Sequence, residues 1–254
     1  MSERASRSRI PGLDGLRGLA AMLVLVAHLS QWGYSLIPGL DLSGIGASGV
    51  MLFFVLSSFL LTSQILGWSP DAIVKLKPWL LYFEARCLRI WPLYLVVLLV
   101  SLTSTYLHYI PIGWKAAPFL EHVPVPMTVD SLREHLLLQT GEDILWTIPI
   151  EFKFYLLLPF LLIAIVLPLH NHQGATISVV GAGILAADWQ ISTEGGGADP
   201  VPFIGVFLTG MLLAFVWCNG RRTRIFGKRQ RIFYECLAWL CSAIYVCLIP
   251  SVYL

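Results

Sequence analysis

Charge is scarce in this chain. Asp, Glu, Lys and Arg make up 13% of its 254 residues, and 57% are hydrophobic; an ordinary soluble domain carries about 25% charged residues. Mean hydropathy is +0.75. That shortage excludes a soluble globule and describes a protein that crosses a membrane several times. The net charge of +2 is too small to attract nucleic acid as a partner. The five cysteines (Cys87, Cys218, Cys236, Cys241 and Cys247) show neither a disulfide framework nor metal-ligand spacing, and they read as small packing residues. His170 and His172 lack further ligands nearby, so no metal is expected. There is no internal repeat and no low-complexity segment. No Gly-x-Ser-x-Gly turn surrounds Ser57 and Ser58, so these two read as helix–helix hydrogen-bonding residues rather than nucleophiles.

Long apolar runs are what the chain has instead. Seven stretches approach the roughly 20 residues that a crossing needs: near 13–33, 47–67, 90–110, 152–169, 174–191, 203–219 and 232–253. Basic residues alternate with them. Arg4, Arg7 and Arg9 precede the first; Lys75, Lys77, Arg86 and Arg89 separate the second from the third; Arg221, Arg222, Arg224, Lys228, Arg229 and Arg231 separate the sixth from the seventh. The intervening loops hold little positive charge. By the positive-inside rule the N-terminus is cytoplasmic and Leu254 lies on the far side. The expected architecture is all-α, a multi-pass bundle of about seven transmembrane helices in the plasma (inner) membrane. The basic start mimics a signal peptide, but Asp14 and Arg17 interrupt its apolar run and no small-residue cleavage site follows, so the first helix is read as uncleaved.

Within residues 13–29 the otherwise apolar run contains Asp14, Arg17 and His28. Ionisable groups at membrane depth are costly and mark pathways or reactions. At about 100° per residue, eleven steps bring His28 back to within roughly 20° of Arg17, and Asp14 precedes Arg17 by three. All three therefore share a face. A neutral imidazole there can take a proton from a hydroxyl or carry an acyl group itself; the plainer role is a hydrogen bond to a neighbouring helix. Arg17 can snorkel to the interface beside Asp14 or grip a phosphate or carboxylate. Gly15 and Gly18 beside it suit close helix packing or close approach of a ligand.

Further segments carry polar groups among apolar ones. Trp146–Pro159 contains Glu151, Lys153 and, four residues past Glu151, Tyr155. These residues form either an aromatic belt with headgroup charges or a polar lining that orients a substrate. Arg86-Cys-Leu-Arg-Ile-Trp-Pro-Leu-Tyr94 sets two arginines three apart at the start of the third span, as a topogenic anchor or a grip on an anionic ligand. In the long 111–150 connection, Val129–Leu138 reads as a short amphipathic helix. Asp130 or Ser131 caps it, and Leu132, Leu136 and Leu137 lie on its apolar side.

Four segments in this order resemble acyltransferase family 3, the integral-membrane O-acyltransferases. Leu13–Ala21 with His28 eleven residues past Arg17, Gly49–Leu60, Arg86–Tyr94 and Trp146–Pro159 are each similar to a family motif. Met51 and Ser58 stand where the family commonly has an acid and a glycine. The resemblance implies one acyltransferase-like domain over 1–254. It also implies transfer of an acyl group, often acetyl, from cytoplasmic acyl-CoA to a hydroxyl of a carbohydrate or envelope glycan, with no bound cofactor. His28 then inherits the catalytic role with Arg17, Asp14 and Glu151 in support. Arg17, Arg86 and Arg89 face the acyl-CoA, and Glu151, Tyr155 and Trp146 face the acceptor. Family members usually have about ten spans, so a chain stopping at Leu254 is expected to be a piece of a longer bundle. The rival readings are a transporter of glycan or lipid and an inactive remnant.

Overall fold

The computed structural model describes residues 12–34, 42–73, 75–108, 127–141, 145–163, 180–181, 183 and 203–222. Regular structure among them is helical: α1 (Leu13–Gln31), α2 (Ile45–Leu66), α3 (Pro70–Ile73), α4 (Leu76–His108), α5 (Val129–Leu136), α6 (Thr147–Leu161) and α7 (Ile204–Arg222). Three helices are long and apolar enough to cross a membrane: α1, α2 and, within α4, Leu76–Tyr106. These fall on the first three expected spans, and α6 and α7 on the fourth and sixth. The expected spans 174–191 and 232–253 lie almost wholly outside the described residues.

The chain divides into two compact units, Met1–Leu66 with Val206–Leu254, and Gly67–Gly205. In the first, α1 begins behind Gly12 (φ +94°) and ends at Gly33 (φ +83°), both left-handed positions that glycine occupies without strain. The exit is a Schellman turn: Gly33 N–H donates to Ser30 O at 3.0 Å and Tyr34 N–H to Leu29 O at 2.9 Å. The buried residues of α1 are Leu13, Ala20 and Ala27, seven apart. That narrow stripe meets α2, where Gly46 and Gly49 let the backbones approach closely. A Cβ on Gly49 would stand 2.7 Å from the Ala20 carbonyl oxygen, and one on Gly46 would stand 2.8 Å from Ala27 Cβ. By contrast a Cβ on Gly15 or Gly18 would meet nothing within 4 Å among the described residues. Among the described residues the packing glycines are therefore those of α2, not the pair beside Arg17.

α2 is the central helix of this unit, 61% buried over its apolar window against 17% for α1. Its second side receives α7. Phe54 and Phe207 stack at 4.7 Å, and the buried Ser58 hydroxyl donates to the Phe207 carbonyl. Ser58 thus has the helix-joining role expected of it. Leu13, Ala20, Leu52, Leu56, Phe59 and Ala214 form the shared core.

In the second unit α4 starts fourteen residues before the expected third span. Arg86 and Arg89 lie within a continuous helix rather than in a loop before it. Leu76, Trp79, Leu80 and Leu81 extend the apolar run upstream, and Pro92 does not end it. Thirty-three residues reach about 50 Å at 1.5 Å each, beyond the roughly 30 Å of hydrocarbon.

α5 folds back on α4. Its cap is Thr128 rather than Asp130 or Ser131: Thr128 Oγ1 accepts from Ser131 N–H, and Ser131 Oγ accepts from Thr128 N–H, each at 3.1 Å. Two tethers hold it. Met127 N–H donates to Thr105 Oγ1 at 2.8 Å, and the Tyr94 hydroxyl donates to the His135 carbonyl at 3.2 Å. The docked face is Leu132 and His135 with Leu138 beyond, while Leu136 and Leu137 are exposed. A helix face advances by three or four residues, which puts Leu137 around the far side from His135. Leu138 occupies a left-handed position (φ 56°) at the end of this helix, where a non-glycine residue costs about 1 kcal/mol. Its side chain packs against the Tyr94, Leu98, Met127 and Leu145 core.

Candidate active site

α1 runs unbroken from Leu13 to Gln31, so Arg17 and His28 keep the shared face that their spacing requires. They stand about 16 Å apart along the axis, with the apolar Ala21 and Val24 between them. The face therefore has two polar ends rather than one continuous polar seam. At the first end Arg17 Nη1 and Asp14 Oδ1 are 4.0 Å apart; the Arg17 side chain is 30% exposed and that of Asp14 83%. Such an exposed pair contributes little stability.

At the second end His28 is half-buried, with Nδ1 at 3.1 Å from Gln31 Oε1 and its ring stacked on Trp32 at 6.2 Å. Oε1 is an acceptor, so Nδ1–H is the donor, and in the neutral imidazole Nε2 is then the nitrogen with the lone pair. A partner on one nitrogen selects the tautomer and leaves the other nitrogen as a base. Gln31 does not figure in the sequence reading, although its position three residues past His28 on a helix was the available signal.

The second unit assembles another group. Arg86 on α4 has its guanidinium carbon 5.9 Å from the ring centroids of both Tyr82 and Tyr155. The Tyr155 hydroxyl donates to Glu151 Oε1 one turn earlier on α6, and the Tyr82 hydroxyl donates to the Tyr155 carbonyl at 3.3 Å. Glu151 and Tyr155 are thus partners, as their spacing of four suggests, and Arg86 joins them. Tyr82 is the member that the sequence reading lacked; its place one turn before Arg86 was legible, but its contact with α6 was not. Arg89 is exposed on the same helix. Trp146, partly buried, packs its ring on Phe203 at 5.2 Å.

One buried polar side chain also escaped the sequence reading. His135 is fully buried, its Nδ1 is 2.8 Å from the Ser131 carbonyl, and its Nε2 has no partner among the described residues. No group of three or more metal-ligating side chains occurs among the described residues.

Comparison with known proteins gives these positions a setting. The family model described as an acyltransferase domain matches residues 10–253. The chain is 28% identical over 256 residues to the peptidoglycan O-acetyltransferase OatA of Listeria monocytogenes, covering 90% of this chain and 37% of that protein. It is 28% identical over 230 residues to the O-acetyltransferase OatA of Staphylococcus aureus, covering 82% of this chain and 35% of that protein. The chain thus spans little more than a third of the length of these relatives. No solved structure matches.

Proposed function

Because this chain belongs to the acyltransferase-domain family of integral-membrane acyltransferases, we propose that it is an O-acetyltransferase acting on a cell-envelope glycan, with acetyl-CoA as the cytoplasmic donor. The observation that carries the reading is the pairing of a family match over 10–253 with a membrane-length α1 that holds Arg17 and a tautomer-selected His28 on one face. The N-terminus is cytoplasmic in this scheme, as the basic residues before α1 favour. The likeness to the Listeria relative suggests peptidoglycan as the acceptor.

Arg17 grips a phosphate of the donor through planar charge-assisted hydrogen bonds, and Arg86 and Arg89 of the second unit are proposed separately for the same kind of contact. The separation of about 16 Å along α1 suits a donor whose charged end and thioester sit at opposite ends of a long, thin arm. At the far end His28 Nε2 takes the proton of an acceptor hydroxyl. The oxygen attacks the thioester carbonyl, the new C–O bond forms, the C–S bond breaks, and the thiolate recovers the proton from the imidazolium. Transfer through an acyl-imidazole uses the same nitrogen in two steps. Asp14 keeps Arg17 oriented, and Glu151 with Tyr155 and Trp146 lines the acceptor side.

Membranes containing the chain, incubated with radiolabelled acetyl-CoA and peptidoglycan fragments, test this reading. Label should reach the acceptor in the wild type and be lost in His28→Ala with insertion unchanged. Full transfer by His28→Ala removes the imidazole from the mechanism.

A further inference from the structure

Arg86 forms no ion pair among the described residues, and its Nε is buried without a hydrogen-bond partner. A guanidinium in a membrane-spanning helix is expensive to hold, so its surroundings need a physical explanation. Two buried aromatic rings supply one. Tyr82 (5% exposed) and Tyr155 (3% exposed) each place a ring centroid 5.9 Å from the guanidinium carbon. Neither hydroxyl is directed to Arg86: that of Tyr155 donates to Glu151 and that of Tyr82 to the Tyr155 carbonyl. The interaction is therefore with the π systems, which attract a cation without neutralising it. Tyr82 also makes edge-on contacts with Trp79 at 5.9 Å and Phe83 at 5.0 Å, and its hydroxyl joins α4 to α6. The ring has little freedom to turn away.

We infer that Tyr82 is a positioning residue for Arg86, forming with Tyr155 an aromatic cradle that presents the guanidinium to a phosphate of the acyl donor. The inference rests on the acyl-CoA reading above and names the group that prepares its cationic end. Tyr82 touches neither donor nor acceptor; it acts through Arg86, so its loss weakens donor binding and leaves the chemical step alone.

The test replaces Tyr82 by Phe, by ring-fluorinated phenylalanine and by Leu in the full chain. It measures KM for acetyl-CoA and kcat separately, with CoA binding as a second readout. Phe keeps the ring face and should stay within about twofold of wild type. Fluorination drains the ring face with almost no change in shape and should raise KM about fivefold, and Leu about tenfold, the size that a desolvated cation–π contact supports. In an Arg86→Met background the change Tyr82→Leu should do nothing more to KM. An unchanged KM in the fluorinated variant overturns the inference even if Leu fails to accumulate. So does a fall in kcat at constant KM, or equal losses in Phe and Leu. Absence of acetyl-CoA turnover by the wild-type chain overturns the donor reading itself, and this inference with it.

Discussion

Substituting Gly49 by Ala adds one methyl group where α1 and α2 meet. The new carbon would stand 2.7 Å from the Ala20 carbonyl oxygen, 2.8 Å from Val24 Cγ2 and 3.1 Å from Leu23 Cβ. Val24 can rotate, but the carbonyl belongs to the α1 backbone and cannot. Restoring ordinary contact moves α1 away by roughly 0.5 Å, the tolerance within which catalytic groups must be held. Two energies oppose each other. Replacing glycine by alanine inside a helix gains about 0.5–1 kcal/mol, whereas overpacking a tight contact costs about 1–3 kcal/mol. Three crowded neighbours, one of them backbone, put the cost near the middle of its range, so Gly49→Ala should be destabilising by about 1 kcal/mol net. Because α1 carries Arg17 and His28, acetyl transfer should fall by about tenfold or more; a displacement of about 1 Å can cost a hundredfold. Gly18→Ala is the control: its Cβ meets nothing within 4 Å among the described residues, so only the helix-propensity gain remains and the sign reverses. Thermal unfolding in detergent, followed by fluorescence-detected size exclusion, reads both variants. A Gly49→Ala protein as stable as wild type, or a Gly18→Ala protein less stable than Gly49→Ala, would refute the packing argument.

Ser58→Ala leaves the Phe207 carbonyl without its side-chain donor; the chain should lose about 1 kcal/mol, measured by the same unfolding assay. Gln31→Leu removes the acceptor that fixes the His28 tautomer. The rate kcat should drop severalfold, an outer-partner effect usually put at about 10–100-fold for metal-bound imidazoles, and a kcat equal to wild type would dismiss Gln31. Thr128→Ala opens the capping box of α5 at a cost of about 1 kcal/mol; hydrogen exchange of residues 129–136 should quicken with α1 and α2 unchanged.

Much of this protein was legible before its fold. The apolar runs, the punctuating glycines and the four motifs are local, and helical periodicity turns spacing into shared faces without a partner. That is why α1, α2 and the amphipathic α5 fall close to where the sequence places them, and why Glu151 and Tyr155, four apart, do touch. The start of α4 was misplaced because Arg86 and Arg89 read as loop charges, although their aliphatic stems and the apolar residues upstream sit comfortably in a helix. The docked face of α5 was misread for a related reason. Leucine spacing suggested 132, 136 and 137, but His135 is buried because its Nδ1 bonds to the Ser131 carbonyl within its own helix.

Composition and spacing by themselves determined that the chain is helical and membrane-embedded, and which ionisable residues stand on one face of its first helix, because each is a property of a few consecutive residues in a low-dielectric setting. Only tertiary structure decided that Gly49 rather than Gly18 sets the approach of α1, that Ser58 joins α2 to α7, and that Arg86 meets the rings of both Tyr82 and Tyr155. Those contacts join residues that are neighbours only after helices distant in sequence have packed, and shape complementarity between whole surfaces selects them.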